Sequence, residues 1–285
     1  MGTSRRGHGS TTTRTVELKV TTYEVEQRVA TITLSRPDRM NAWTGRMHTE
    51  YRWCLASAAD DDNVRVIVVT GAGRAFCVGA DALALEGHVA RGGYDAGTAE
   101  DLAMPGYGTD PRFDADFAYH FGIPKPIIAA INGPAAGVGF ALACYCDLRV
   151  AVRGVKLTTA HGRLGLPAEF GLSWLLPRLI GASRAAELLF TSRVVLTDEA
   201  ATIGLVHTLC DQGELTGAVA ALADELACRV APGSLAATKR QLYVDLHRGV
   251  ADSVAEADAL VREMMTTEEF AEGVAALRAK RPPAF

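Results

Sequence analysis

Long apolar runs, an excess of positive charge and ordered cysteine spacing are all missing from this 285-residue chain. No apolar stretch is long enough to span a bilayer, so no membrane partner is expected. Lys and Arg number 29 against 33 Asp and Glu, for a formal net charge of −4. No global field therefore draws in nucleic acid or an anionic membrane, and no Lys/Arg stripe marks an RNA-binding face. An anionic ligand would need local Lys or Arg. The cysteines (54, 77, 144, 146, 210 and 228) show no framework spacing. Cys144 and Cys146 alone are close, and C-x-C among apolar residues is a poor zinc or redox pattern. Reduced thiols and no metal site are expected. The opening "MGTSRRGHGSTTTRT" has no apolar h-region, so residues 1–15 read as a disordered leader and a cytoplasmic location is expected.

What is present suits a large folded core, with 48% hydrophobic and 22% charged residues. Alternating residues from Val16 to Leu34 predict a hairpin around Gln27-Arg28. Thr44 is placed to cap a helix reaching Ala59. "VRVIVV", "KPIIAAI" and "CDLRVAV" read as strands buried on both faces. Between the last two lies "GPAAGVGFALACY", apolar all round and so a buried helix. The recurring order of strand, Gly-rich turn and helix predicts an α/β fold with parallel pairing. Residues 85–122 interrupt that rhythm as a long Gly- and Pro-rich loop suited to shaping a pocket. Helical patterns follow at 183–191, 197–203, 214–228, 234–248 and 252–265, with a last one reaching Lys280.

Two glycine turns carry chemical interest. "GAGRAFCVGADAL" (Gly71 to Leu83) is neither a dinucleotide fingerprint nor a phosphate loop, lacking both G-x-G-x-x-G and G-K-[ST]. Its turn at Gly79 would leave the Ala80 N–H free to face a cleft. "NGPAAGVGF" (Asn132 to Phe140) leads into the buried helix, where Gly137 and Gly139 flank Val138 and the first N–H groups lack internal partners. Two such donors at a positive helix end could hold a developing enolate oxygen. The residues alone leave a second reading open, in which the glycines only let strand and helix pack closely.

These segments resemble the two signatures of the crotonase superfamily, the enoyl-CoA hydratase/isomerase group. "LSRPDRMNA", "GLPAEFGLSWLLPRLIG" and the terminal "KRPPAF" match in order too, so the resemblance covers about Val16 to Phe285. It implies a spiral of repeated β-β-α units with a C-terminal α-helical trimerisation region. The division implied is a core over 16–195 and a helical region over 196–285, assembling as a homotrimer or a hexamer. It also implies an acyl-CoA partner, with coenzyme A as part of the substrate and no permanently bound cofactor. Carried over by position, the oxyanion donors fall on Ala80 and Val138. CoA and substrate contacts fall on Arg39, Met40, Ala42, Asp81, Leu83 and Gly137. Asp38 stands where the family often has Lys, which makes Arg39 either the phosphate partner or an ordinary solvated arginine.

The same resemblance exposes a departure. Hydratases of the family hold water between two glutamates, and those positions here are Ala141 and His161. Glu169, in "HGRLGLPAEFGLSWLLPRL", occupies a slot where some members, including ring-epoxide CoA isomerases, carry a working carboxylate. Apolar neighbours Leu166, Ala168, Phe170 and Leu172 would desolvate it, and a helix starting near Leu172 would favour its anion. Read without the family, Glu169 could equally cap that helix at the surface. His161 is the second candidate base, or else a wall residue that holds Glu169. Asp147 reads as a turn or cap residue. The expected activity is a double-bond shift by one carboxylate. Hydration by Glu169 with His161, or a non-catalytic CoA-binding subunit, are the alternatives.

Overall fold

The computed structural model describes residues 17–81, 86 and 113–285. The leader at 1–15, the expected contact residue Leu83 and nearly all of the pocket loop up to 112 lie outside the described residues. The chain starts with β1 (Thr21–Glu26) and β2 (Val29–Leu34), then α1 (Gly45–Asp60) and β3 (Val66–Gly71). After the loop come β4 (Ile127–Ile131), β5 (Ala135–Ala136), α2 (Val138–Tyr145), β6 (Leu148–Val152) and β7 (Lys156–Thr158). Next are α3 (Leu172–Ile180), α4 (Ala182–Thr191), β8 (Val195–Leu196), α5 (Thr197–Thr202) and β9 (Thr208–Cys210). The chain closes with α6 (Leu215–Arg229), α7 (Pro232–Val244), α8 (Val250–Met264) and α9 (Glu268–Ala279). No described helix is long and apolar enough to cross a membrane.

Two sheets share the strands. The larger runs β1-β2-β3-β4-β6-β9, antiparallel at β1–β2 and parallel beyond. The smaller runs β5-β7-β8. The chain alternates between them: β4 leads to β5 and then α2, and β6 leads to β7 and then α3. Isolated parallel bridges, Trp43 to Ala80 and Cys77 to Ala135, extend the smaller layer in the same sense. This is the expected spiral, and the turns begun by β4 and β6 each have one large-sheet strand, one small-layer strand and one helix.

Local sequence explains the elements. The β1–β2 hairpin turns at Gln27 and Arg28, both at positive φ (47° and 67°), the twist a two-residue hairpin requires. Thr44 Oγ1 accepts the Met47 N–H, capping α1 as predicted. β3, β4 and β6 are mostly apolar because both faces are covered, with Thr70 and the buried Arg149 as the polar exceptions. Ile67, Val69, Ile127 and Ala129 face the main core, while Val66, Val68, Ile128 and Val150 pack against Val219, Ala223 and Ala227 of α6.

The strand expected from Val16 starts later. The N–H groups of Lys19, Val20 and Thr21 all donate to the buried Glu50 carboxylate of α1 instead of to a neighbouring strand. The helix expected at 234–248 ends at Val244 and tightens into a 3-10 turn over Asp245–His247. Asp147, read as a turn residue, does more: it accepts from Ile127 N–H, Lys239 Nζ and Tyr243 OH, each at 2.7 Å. That cluster docks α7 onto the core. All six cysteines are unpaired, as expected, and five are buried.

Candidate active site

The turn expected to carry the first donor, Ala80, is fixed from several sides. Met40 and Asn41 both sit in the left-handed region (φ 50° and 55°), which costs a non-glycine residue roughly 1 kcal/mol. The Asn41 side chain offsets that strain. Its Oδ1 accepts the Arg36 N–H, and its Nδ2 donates to the carbonyls of Ala72 and Ala75 at 2.9 and 2.8 Å. Asn132 closes the other side, its amide bonding Gly71 twice and also Gly73 and Ala75. Arg36 then donates to the Ala42 carbonyl and pairs with Asp81 Oδ2 at 2.8 Å. The Asp81 carboxylate is therefore engaged within the protein.

Within this frame Trp43 N–H donates to Gly79 O, and Asp81 N–H donates to Trp43 O. Those two bonds flank Ala80, so by strand alternation its own N–H faces away from Trp43. It donates to no backbone group among the described residues. Gly79 makes the turn at φ 106°, which side-chain-bearing residues rarely adopt.

Val138, the second expected donor, opens α2. Gly137 N–H donates to Thr158 O at 3.1 Å, which leaves Val138 as the first helical residue with no carbonyl four places back in the helix. The two turns lie against each other: a Cβ on Gly79 would sit 3.3 Å from Ala136 O. At Gly139 the packing reading is right as well. A Cβ there would come within 2.1 Å of Cys77 O, so only glycine lets α2 approach.

The carboxylate side is built from β7 and α3. His161 follows β7 in a 3-10 turn over His161–Leu164 and is buried, with Nδ1 unpartnered among the described residues. Glu169 is half-buried in irregular chain before α3, whose N-cap is Gly171 with no side-chain cap. Glu169 is thus no surface helix cap. Burial pushes its carboxyl above the ordinary carboxylate range, and the nearby His161 pulls it partly back. Leu166 contributes little to that desolvation, since its side chain is 43% exposed. Phe170 and Leu172 are the covered neighbours. Ala141 is fully buried on α2.

An aromatic floor links the two sides. Phe117 packs on Phe170 at 5.3 Å and on Trp43 at 5.7 Å between ring centres. Below it the fully buried His120 bonds Phe117 O through Nδ1 and Tyr51 OH through Nε2. A carbonyl can only accept, so Nδ1 carries a proton; burial lowers the ring's pKa to about 3, which keeps it neutral with Nε2 accepting from Tyr51.

Of the expected contact residues, Arg39 is exposed, Met40 half-buried, and Ala42 and Asp81 buried along the same turn. Reasoning from the sequence missed Arg36, Asn41, Asn132 and Tyr145. The "MNA" and "NG" steps carried a signal for the asparagines, because Asn tolerates left-handed backbone and bonds turn carbonyls.

Residues 24–285 match the family model described as enoyl-CoA hydratase/isomerase. The chain belongs to that family. It is 37% identical to the probable enoyl-CoA hydratase EchA12 of Mycobacterium tuberculosis, over 90% of this chain and 89% of that one. It is 32% identical to the 1,2-epoxyphenylacetyl-CoA isomerase of Escherichia coli, over 92% and 96% respectively. The solved structure of a probable enoyl-CoA hydratase/isomerase from Mycobacterium abscessus superposes with a TM-score of 0.80. That match has 31% identity and covers 93% of this chain and 98% of that one. As a member of this family the chain has the crotonase fold, and its relatives include both hydratase and isomerase names.

Proposed function

We propose that the protein isomerises an enoyl-CoA, with Glu169 as the one mobile base. The thioester oxygen sits between the N–H groups of Ala80 and Val138, and Glu169 takes a proton from the acyl chain to give an enolate. It returns that proton at a second carbon. The observation that carries this reading is the half-buried, charge-disfavoured Glu169 in a site where Ala141 and His161 replace the hydratase glutamates. A base with a raised pKa binds the abstracted proton well enough to deliver it again. A double-bond shift needs one such group, whereas addition of water needs the water held as well as deprotonated.

In this reading CoA and thioester contacts fall to Arg39, toward phosphate, and to Met40, Ala42, Asp81 and Gly137, with Leu83 outside the described residues. Asp81 acts there through backbone and through its pair with Arg36. Exposed apolar side chains on α8 and α9, among them Val250, Val254, Val261 and Leu277, support self-assembly into a homotrimer or a hexamer. Six unpaired cysteines support a cytoplasmic site of action.

The unpartnered Nδ1 of His161 favours one second reading, hydration of 2-enoyl-CoA with His161 and Glu169 sharing the water. Offering 2-enoyl-CoA and 3-enoyl-CoA separately decides between the two. The first reading expects 3-enoyl-CoA to be converted and Glu169→Gln to lose that turnover by 10²- to 10⁴-fold. Undiminished turnover in Glu169→Gln removes it from the mechanism. Release of 3-hydroxyacyl-CoA from 2-enoyl-CoA would favour the second.

A further inference from the structure

We infer that Tyr145 is the positioning residue for Glu169, joining the base loop to the helix that carries the Val138 donor. The inference rests on the base role proposed for Glu169. Helix α2 begins at Val138 and ends at Tyr145, so one short rigid element has the donor at one end and this phenol at the other. The Tyr145 hydroxyl donates to Phe170 O at 2.7 Å, one residue beyond Glu169. Among the described residues, it is the one side chain from outside the loop that hydrogen-bonds residues 165–171. Burial pushes its pKa up to about 12, so the group stays a donor across the working pH range.

The backbone it grips is held in a costly shape. Phe170 and Gly171 are both left-handed, with φ of 52° and 68°, and Phe170 has a full side chain to accommodate. A Cβ on Gly171 would meet the Tyr145 oxygen at 2.8 Å, so the glycine is what admits the hydroxyl. On the loop's own side, Leu172 N–H donates to Glu169 O and Leu166 N–H to His161 O. Those bonds close the ends of the loop. Phe117 presses on the Phe170 ring. Among the described residues, the Tyr145 bond is the one hydrogen bond that ties the middle of the loop to α2, and so sets where the Glu169 carboxylate lies relative to the Val138 N–H. Small losses of such aim cost rate rather than binding.

The test is Tyr145→Phe, which removes the hydroxyl and keeps the ring, run beside Glu169→Gln on the full chain with enoyl-CoA. Affinity for butyryl-CoA, which needs the donors but no base, checks that the site is folded. The expected result for Tyr145→Phe is a 10- to 100-fold fall in kcat, with KM and butyryl-CoA affinity within about twofold of wild type. A loosened loop also admits water to Glu169, so the acidic limb of kcat/KM moves to lower pH. If Glu169→Gln is inactive but Tyr145→Phe keeps wild-type kcat and limb, the positioning role is overturned while the base assignment stands. Undiminished turnover in Glu169→Gln overturns both.

Discussion

The two halves of the site are built to different standards. Among the described residues, Asn41, Asn132 and Arg36 place nine side-chain hydrogen bonds on the turns around the Ala80 N–H. Among the described residues, the stretch 165–171 around Glu169 receives one such bond from outside the loop, from Tyr145. A site that stabilises an enolate needs its donors fixed before reaction, because reorganising them during it would forfeit most of their worth. The base has to be aimed, but which carbon it serves can change. In the reading proposed above, a strongly held anion hole beside a lightly held base loop would let one scaffold serve several reactions.

Within the held half, the largest expected effect is on turnover. Val138→Pro removes one N–H at the first position of a helix, where proline is tolerated. Turnover should drop 10²- to 10³-fold with circular dichroism unchanged. A fall below threefold would mean that this N–H is no donor. Next is stability. Asn41→Ala strips partners from Ala72 O, Ala75 O and Arg36 N–H and strands a left-handed residue, so urea unfolding should report a loss of about 2–4 kcal/mol. Tyr145→Phe should cost about 1 kcal/mol in the same assay. Equal losses would erase the contrast between the halves.

The aromatic floor predicts a pH dependence. His120 is neutral in the fold, with a pKa near 3, whereas an unfolded histidine protonates below about pH 6.5. The unfolded chain thus gains a proton that the folded chain refuses between those values. Stability falls as the pH drops through that window, by about 1.4 kcal/mol per unit from this group. His120→Gln should flatten the slope in urea titrations at pH 7, 6 and 5. The smallest effect concerns His161, which opposes the raised pKa of Glu169. His161→Gln should move the acidic limb of kcat/KM upward, opposite in sense to Tyr145→Phe. A downward shift would mean that His161 does not act on Glu169 through charge.

Elements with a local cause were legible in the sequence. The hairpin at Gln27-Arg28, the Thr44 cap, the buried helix at Val138 and the later helices follow from turn residues, caps and periodicity. β5 and β8 are two residues long and have no period to read. Glu50, Arg36, Asn132 and Tyr145 act across 25 or more positions of chain, through contacts that exist only after the spiral closes. Ala80, Val138 and Glu169 stood out because a turn or an unusual neighbourhood marked them. The groups that hold them in place carried no such mark, apart from the asparagines.

Proton exchange at the α-carbon is the most direct measurement of the central claim. Butyryl-CoA incubated with the protein in D₂O needs the two N–H donors and one base, and needs neither a double bond nor bound water. The account predicts deuterium entering the α-position with the wild-type chain and failing to enter with Glu169→Gln. Equal exchange by both, or none by either, would contradict it.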